Sequence, residues 1–438
     1  MIIQKFGGTS VGTPERMAGL ETIIPAQSPV FVVLSAVSGT TDRLVKVADH
    51  LENDAIAEAR MELDLIKTLH LDYAKLLLKS DNKQLAAANY IDATLEKAFE
   101  SANDSPLFRL REEFLPLGEL LSTFLFTCYL EEQNRPVQLL QAKDFVVLNP
   151  HGEPEVESIT KALLPLLEPY RAGLIYLSQG FICSDHSGET AILGRGGSDY
   201  SASLIGAALD ATEIQIWTDI DGMRNNDPRI VKDTKAVREL SFDEAAELAY
   251  FGAKILHPNT IHPARVKNIP VRLKYTMDPA APGTLISEHV VSVGIKALAA
   301  KDGITTIHIK SGRMLMAYGF LRAVFEIFER HKTSIDLITT SEVAVSLTID
   351  NTLALQDILK ELTAFGHVES DGNQTIICIV GKLSYEEKGL VALIFQSLKS
   401  IPIKMVSYGA SEQNVSILVD TRHKNEALLA LHAGLFES

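Results

Sequence analysis

Shifted against itself by 70 residues, the last third of the chain matches without a gap. Ser341-Glu342-Val343-Ala344-Val345-Ser346 falls on Ser411-Glu412-Gln413-Asn414-Val415-Ser416. The same shift sets Asp350 on Asp420, Phe325 on Phe395, Leu359 on Leu429, and TTIHI at 305–309 on TIICI at 375–379. Each copy reads strand, helix, alternating strand, helix: VAVSLTID and NVSILVD have strand character, while FLRAVFEIFERH and LVALIFQSL suit amphipathic helices. A solenoid needs about three or more repeats, so a unit met twice predicts a pair of α+β modules. We place them at 304–373 and 374–438, the second completed by a strand from about 291–303.

The part before the repeat follows another rule. Val30-Phe31-Val32-Val33-Leu34 is a continuous apolar run between turn residues, the pattern of a parallel strand buried on both faces. A helical stretch follows from about 55 to 135, with Leu63, Ile66, Leu69, Leu76 and Leu77 as its apolar positions. Strand character returns in LIYLSQGFIC at 174–183 and EIQIWTD at 213–219. Strands alternating with helices predict an α/β domain with a largely parallel sheet, extending to about residue 290. A chain of 438 residues also exceeds what one ordinary core holds.

Composition narrows the function. With a net charge of −15, the chain lacks the clustered Lys and Arg that nucleic acid or an anionic membrane surface requires, so an anionic substrate needs a local basic pocket. No apolar stretch reaches the length of a membrane span, and the N-terminus lacks a secretory pattern, so a cytoplasmic protein is expected. Cys128, Cys183 and Cys378 are far apart and suit core packing. His257 and His262, near prolines and without a Glu or Cys at ligand spacing, read as structural.

The chemistry-bearing residues fall in short glycine-rich or polar runs. KFGGTSVG puts Lys5 ahead of Gly7 and Gly8, which suits either a tight turn or a backbone cradle for phosphate. In GRGGSDYSA, Arg195 precedes a helix start at Ser198 and Asp199, where unpaired N–H groups favour an anion; helix capping explains the same Ser and Asp. WTDIDGMRNNDPRI brings Thr218, Asp219, Asp227 and Arg229 into a loop after a strand, where open α/β sheets bind ligands and where turns also occur. FGAKILHP adds Lys254, either a phosphate contact or a solvated lysine. Glu119 lies in the apolar PLGELLSTFLFTCYL, where a carboxylate needs a partner such as a ligand ammonium; a carboxylate favoured by the helix dipole explains it equally.

KFGGTSVG, LSAVSGTTD, GRGGSDYSA, WTDIDG, DPR and FGAKILHP, in this order across residues 5–258, resemble the aspartokinases, and the duplicated segment is similar to their tandem ACT domains. The resemblance implies the amino acid kinase fold followed by two ferredoxin-like ACT modules. The implied reaction is ATP-dependent phosphorylation of the side-chain carboxylate of L-aspartate, with ATP taken together with Mg²⁺. It assigns Lys5 to the transferring phosphate, Gly7, Gly8, Thr9 and Ser10 to its cradle, and Asp199 to orienting Lys5 and the substrate. Arg195 takes the substrate α-carboxylate and Glu119 its α-ammonium, with Thr41 and Ser198 beside them. Ser35, Thr218, Asp219, Arg224, Arg229 and Lys254 match nucleotide positions, Arg224 standing where lysine-sensitive bacterial relatives have Tyr. For a lysine-type effector the matching positions are Met314, Gly319, Phe320, Leu321, Ser334, Asp336, Thr340 and Ser341, and Ala317 replaces a Ser. Under the shift of 70, Asp336 falls on Val406 and Thr340 on Ala410, so only the first module is expected to hold the effector. A homodimer through the ACT modules is also implied. The competing reading is a catalytically silent amino acid sensor, which the joint presence of Lys5, Arg195 and Asp199 disfavours.

Overall fold

The computed structural model describes residues 1–102, 105–169, 171–194, 196–252, 256, 258–290, 294–312, 314, 318–383, 388–409 and 411–437. It divides into two units, the first formed by 1–223 with 256–290 and the second by 224–255 with 291–438. The sequence boundary at 290 is therefore interrupted by residues 224–255. Within the second unit the Leu298 N–H donates to the Asn225 carbonyl at 2.9 Å, and Lys296 pairs with Glu244 at 2.6 Å with both side chains buried. These contacts join segments about 50 to 70 residues apart, which no local pattern in WTDIDGMRNNDPRI reveals.

In the first unit, β1 (Ile2–Phe6), β2 (Val30–Leu34), β3 (Val137–Leu140) and β4 (Ile175–Gln179) are followed by a hairpin of β5 (Ile182–Ser184) and β6 (Thr190–Ile192) and by β7 (Glu213–Thr218). The chain then passes through 224–255, which holds the short β8 (Glu239–Leu240), before β9 (Val271–Tyr275) and β10 (Thr284–Ile286). The strands of this unit lie in the order β3-β4-β2-β1-β7-β9-β10, all parallel except β10, which runs antiparallel to β9. All five residues of β2 are buried, as its unbroken apolar run requires.

Two sequence expectations change here. LIYLSQGFIC is not one strand: it breaks at Phe181, whose φ of 58° is left-handed. In the helix Ile56–Leu77, Leu63, Ile66 and Leu77 are buried, whereas Leu69 and Leu76 are more than half exposed. The inward seam passes instead through His70, Tyr73 and Ala74. Polar partners make this possible, since His70 Nδ1 lies 2.8 Å from the Ile66 carbonyl and the Tyr73 hydroxyl donates to the Val11 carbonyl at 2.8 Å. All three cysteines are free and buried. Among the described residues no helix is long and apolar enough to cross a membrane.

The second unit carries β11 (Gly294–Lys310), β12 (Ile338–Thr340), β13 (Ala344–Ile349), β14 (His367–Lys382), β15 (Met405–Ser407) and β16 (Asn414–Asp420) in the sheet order β12-β13-β11-β14-β16-β15. The long central strands divide at irregularities. Residues 304–310 of β11 pair with 367–374 of β14 and with β13, whereas 294–301 pair with 376–382. Two hydrophobic cores result, and the shift of 70 maps one on the other: Ile307, Ile309, Val324, Phe328, Val345, Leu347, Ile349 and Ile358 in the first meet Ile377, Ile379, Ile394, Leu398, Val415, Ile417, Val419 and Leu428 in the second. Leu298, from the start of β11, belongs to the second core. The repeated sequence is thus a repeated set of inward-facing side chains.

Candidate active site

Parallel strands expose their unpaired ends together, and the loops leaving the carboxyl ends of β1, β2, β4 and β7 enclose a cleft of about 530 Å³. Lys5, Gly7, Gly8, Thr9, Ser35, Thr41, Glu119, Ser198, Asp199, Thr218 and Asp219 all line it. These residues lie up to 214 positions apart in sequence, and the sheet order brings them together.

On one side, Lys5 Nζ lies 2.7 Å from Asp199 Oδ1, with both side chains largely shielded from solvent. Lys5 extends from β1, the strand flanked by β2 and β7, while Asp199 stands in the first turn of the helix Gly197–Ala208. The ion pair therefore ties the helix start to the sheet. A Cβ on Gly7 would stand 3.5 Å from Lys5 Nζ, so a side chain there would fill the space beside the ammonium that a phosphate needs.

On the other side, Glu119 is 4% exposed, in the first turn of the helix Leu117–Glu132. Ser122 anchors that turn by donating to the Ser35 carbonyl at 2.9 Å. The Ser198 hydroxyl donates to Glu119 Oε1 at 2.7 Å, while Oε2 makes no hydrogen bond of good geometry among the described residues. Burial pushes the Glu119 carboxyl up to about 8, against the opposing pull of the Ser198 hydroxyl, the Lys5 charge and the Ala36 backbone. A buried carboxyl with one unfilled oxygen suits a cationic ligand group.

Not every assigned residue faces the cleft. Ser10 is 1% exposed, and its hydroxyl lies 3.2 Å from the Trp217 carbonyl and 2.7 Å from Thr276 Oγ1, behind the glycine turn. Its role is therefore to fasten the turn to β7, and the cradle reading for Ser10 is corrected accordingly. The Gly7 N–H is likewise given to the Trp217 carbonyl at 3.2 Å, leaving Gly8 and Thr9 as the rest of the turn at the cleft wall. Thr218 donates to Asp219 Oδ1 at 3.1 Å. Arg224 and Arg229 belong to the second unit: Arg224 Nη1 donates to the Thr234 carbonyl and hydroxyl, and the exposed Arg229 pairs with Asp227 at 2.7 Å. Arg195, Lys254, His257, Ala317 and Ala410 lie outside the described residues.

Sequence reasoning missed Phe181, which lines the cleft from a left-handed backbone conformation. Its N–H donates to Ser201 Oγ at 3.0 Å and its carbonyl accepts from Leu193 at 2.9 Å, holding a conformation that is uncommon without glycine. The available signal was Gly180-Phe181 directly after a buried strand.

Of the effector positions, Met314, Phe320 and Leu321 pack on the first core of the second unit, and Gly319, at φ 81°, starts the helix Phe320–Arg330. Ser334, Thr340 and Ser341 are exposed. Asp336 is neither a free acceptor nor a surface acid: its side chain is fully buried and paired with Lys301.

The parallel sheet with this glycine turn and cleft at its carboxyl edge defines the amino acid kinase fold. Residues 1–275 match the amino acid kinase family and residues 377–435 match the ACT domain. Lysine-sensitive aspartokinase 3 of Escherichia coli (strain K12) is 36% identical over 460 residues, spanning 100% of this chain and 99% of that protein. The crystal structure of E. coli aspartokinase III with aspartate and ADP in the R-state superposes with a TM-score of 0.84 at 35% identity, covering 100% of both chains. The T-state structure of the same enzyme with lysine and aspartate gives 0.80 at 36% identity, covering 100% of this chain and 99% of that one. The chain belongs to the aspartokinases.

Proposed function

We propose that the cleft transfers the γ-phosphoryl group of ATP to the side-chain carboxylate of L-aspartate, giving ADP and 4-phospho-L-aspartate. The observation that carries this reading is the placement of Lys5–Asp199 and Glu119–Ser198 on one cleft at the carboxyl edge of the sheet. The ligands of the E. coli structures, aspartate with ADP and aspartate with lysine, support it. Aspartate's side chain is ionised near neutrality, with a reference pKa of about 3.9, so the attacking oxygen needs no general base. That oxygen bonds to the γ-phosphorus as the bond to the bridging oxygen breaks, and ADP leaves with the electron pair. Positioning and charge neutralisation remain for the protein.

Lys5 supplies positive charge where the phosphoryl group moves, and Asp199 holds its ammonium in place. Glu119 receives the substrate α-ammonium, Ser198 orients the carboxylate that does so, and Arg195 takes the α-carboxylate. Ser35, Thr218 and Asp219 lie on the nucleotide side, with Lys254 added from the resemblance. ATP enters as its Mg²⁺ complex, the ion neutralising phosphate charge. L-lysine acts as feedback inhibitor at the first ACT module, around Asp336, and two chains associate through their ACT modules.

A coupled assay of ADP release tests the catalytic reading. Aspartate-dependent turnover that falls as L-lysine rises through the millimolar range is expected. No release above the aspartate-free control would favour the silent sensor, while turnover indifferent to every amino acid in a panel would remove the feedback assignment. Light scattering on the eluted protein tests the dimer, and a monomer mass would refute it.

A further inference from the structure

The acidic position assigned to the effector already holds an ammonium group, and it belongs to the chain itself. Lys301 Nζ lies 2.9 Å from Asp336 Oδ1, 2.8 Å from Asp350 Oδ2 and 4.1 Å from the centre of the Tyr250 ring. The Tyr250 hydroxyl donates to the same Asp336 oxygen at 2.6 Å. Two carboxylates and one aromatic face around a single nitrogen form a complete cage for a primary ammonium. Asp336 Oδ2, also buried, has no hydrogen-bond partner among the described residues, so the cage retains one unfilled acceptor.

The cage joins separate elements of the second unit: β11 carries Lys301, Asp336 precedes β12, Asp350 follows β13, and Tyr250 ends the helix Phe242–Tyr250. Two residues past Tyr250, Gly252 has φ 128°, and a Cβ there would meet the Ala300 carbonyl at 2.4 Å. The helix end is therefore pressed on the strand immediately before Lys301. At the matching point of the second module the polarity is reversed: Asp371, 70 residues after Lys301, pairs with Lys404.

We infer that Lys301 is a resident competitor for the effector site, and that a cationic amino acid binds at Asp336 by displacing the Lys301 ammonium. This inference rests on the proposal that Asp336 belongs to the effector site. Exchange of one ammonium for another leaves the ionic contacts nearly balanced, so net affinity comes from what the ligand's α-carboxylate and α-ammonium add. The two states that a regulatory ligand must distinguish are then Lys301 inside the cage and Lys301 outside it. Displacement also alters the hydrogen bond that the Tyr250 hydroxyl gives to Asp336.

Calorimetric titration of L-lysine into the full-length protein tests this with wild type, Lys301→Met, Lys301→Arg and Asp336→Asn, the fold of each checked by circular dichroism. Lys301→Met should bind about tenfold more tightly or better, because the competitor is gone and two carboxylates await a cation. Lys301→Arg, whose guanidinium spans both carboxylates, should bind more weakly, and Asp336→Asn should lose binding. Unchanged or weaker binding by a folded Lys301→Met protein overturns the inference while the effector reading stands. If Lys301→Met does not fold, unchanged affinity in Lys301→Arg overturns it. Lysine binding by neither wild type nor Lys301→Met removes the effector reading and this inference together.

Discussion

The Glu119 carboxyl offers the sharpest test, because its burial sets a pH dependence of defined sign. With a pKa of about 8 in the free enzyme, the neutral acid predominates near neutrality. Binding the substrate ammonium requires the anion, so substrate affinity includes the cost of deprotonation at any pH below that value. At about pH 7 roughly one molecule in ten carries the anion, and the KM for aspartate should stand about tenfold above its alkaline plateau. At about pH 6 the factor is about a hundredfold. In the complex the ammonium holds the carboxylate ionised, so kcat should change little over the same range. Initial rates against aspartate concentration, at saturating ATP and constant ionic strength, give both quantities. The plot of log KM against pH should fall with a slope near −1 up to about pH 8 and then level. Ser198→Ala removes a hydroxyl that stabilises the anion, so the break should move to higher pH. Glu119→Gln should raise KM and remove the break. A KM that stays flat below the break, or rises with pH, refutes the reasoning. The same shift has a stability consequence of opposite sense: a carboxyl whose folded pKa is raised favours the fold at low pH and loses that contribution as pH climbs through about 8.

Other perturbations separate the roles of individual residues. Lys5→Met should lower kcat by about a thousandfold or more, because the charge at the transferring phosphate is lost, while L-lysine binding followed by calorimetry persists. Phe181→Gly should be about 1 kcal/mol more stable than Phe181→Ala in chemical denaturation, since only the glycine relieves the left-handed backbone at φ 58°. Lys296→Met strands the buried Glu244 carboxylate and should cost about 3–5 kcal/mol of stability in the same assay. Adding Glu244→Gln, which keeps an acceptor for the Ser241 N–H, should recover most of it.

The legible parts of this chain were those governed by local periodicity. The shift of 70 was visible because eight inward-facing positions recur in both cores, and a core position tolerates only other apolar residues. The buried strand β2 was legible for the same reason. Leu69 and Leu76 were misread because a helix of mixed pattern offers two apolar stripes, and only tertiary packing chose the one through His70 and Tyr73. The chemistry at the sheet edge was half legible: glycine turns marked the loops, but the side to which a hydroxyl points depends on partners such as Thr276, 266 residues from Ser10.

The mapping of Asp336 on Val406 is corrected by the backbone pairing: the Asp336 N–H donates to the Thr348 carbonyl as the Lys404 N–H donates to the Leu418 carbonyl, so Lys404 stands in the second module where Asp336 stands in the first. What the sequence hides is that Lys301 lies in a strand without any motif, and that Tyr250 precedes the repeat altogether. A fully buried carboxylate must be paired or neutral, and at Asp336 the partner is the Lys301 ammonium. The first module answers with Lys301, and the second, with Lys404 at the place of Asp336, sets it against Asp371 instead. Divergence of the duplicated modules is therefore a divergence in charge polarity around a shared core. The carboxylate of the first pair, Asp336, is fully buried and keeps an oxygen without a hydrogen-bond partner among the described residues, whereas that of the second, Asp371, is more than half exposed to water.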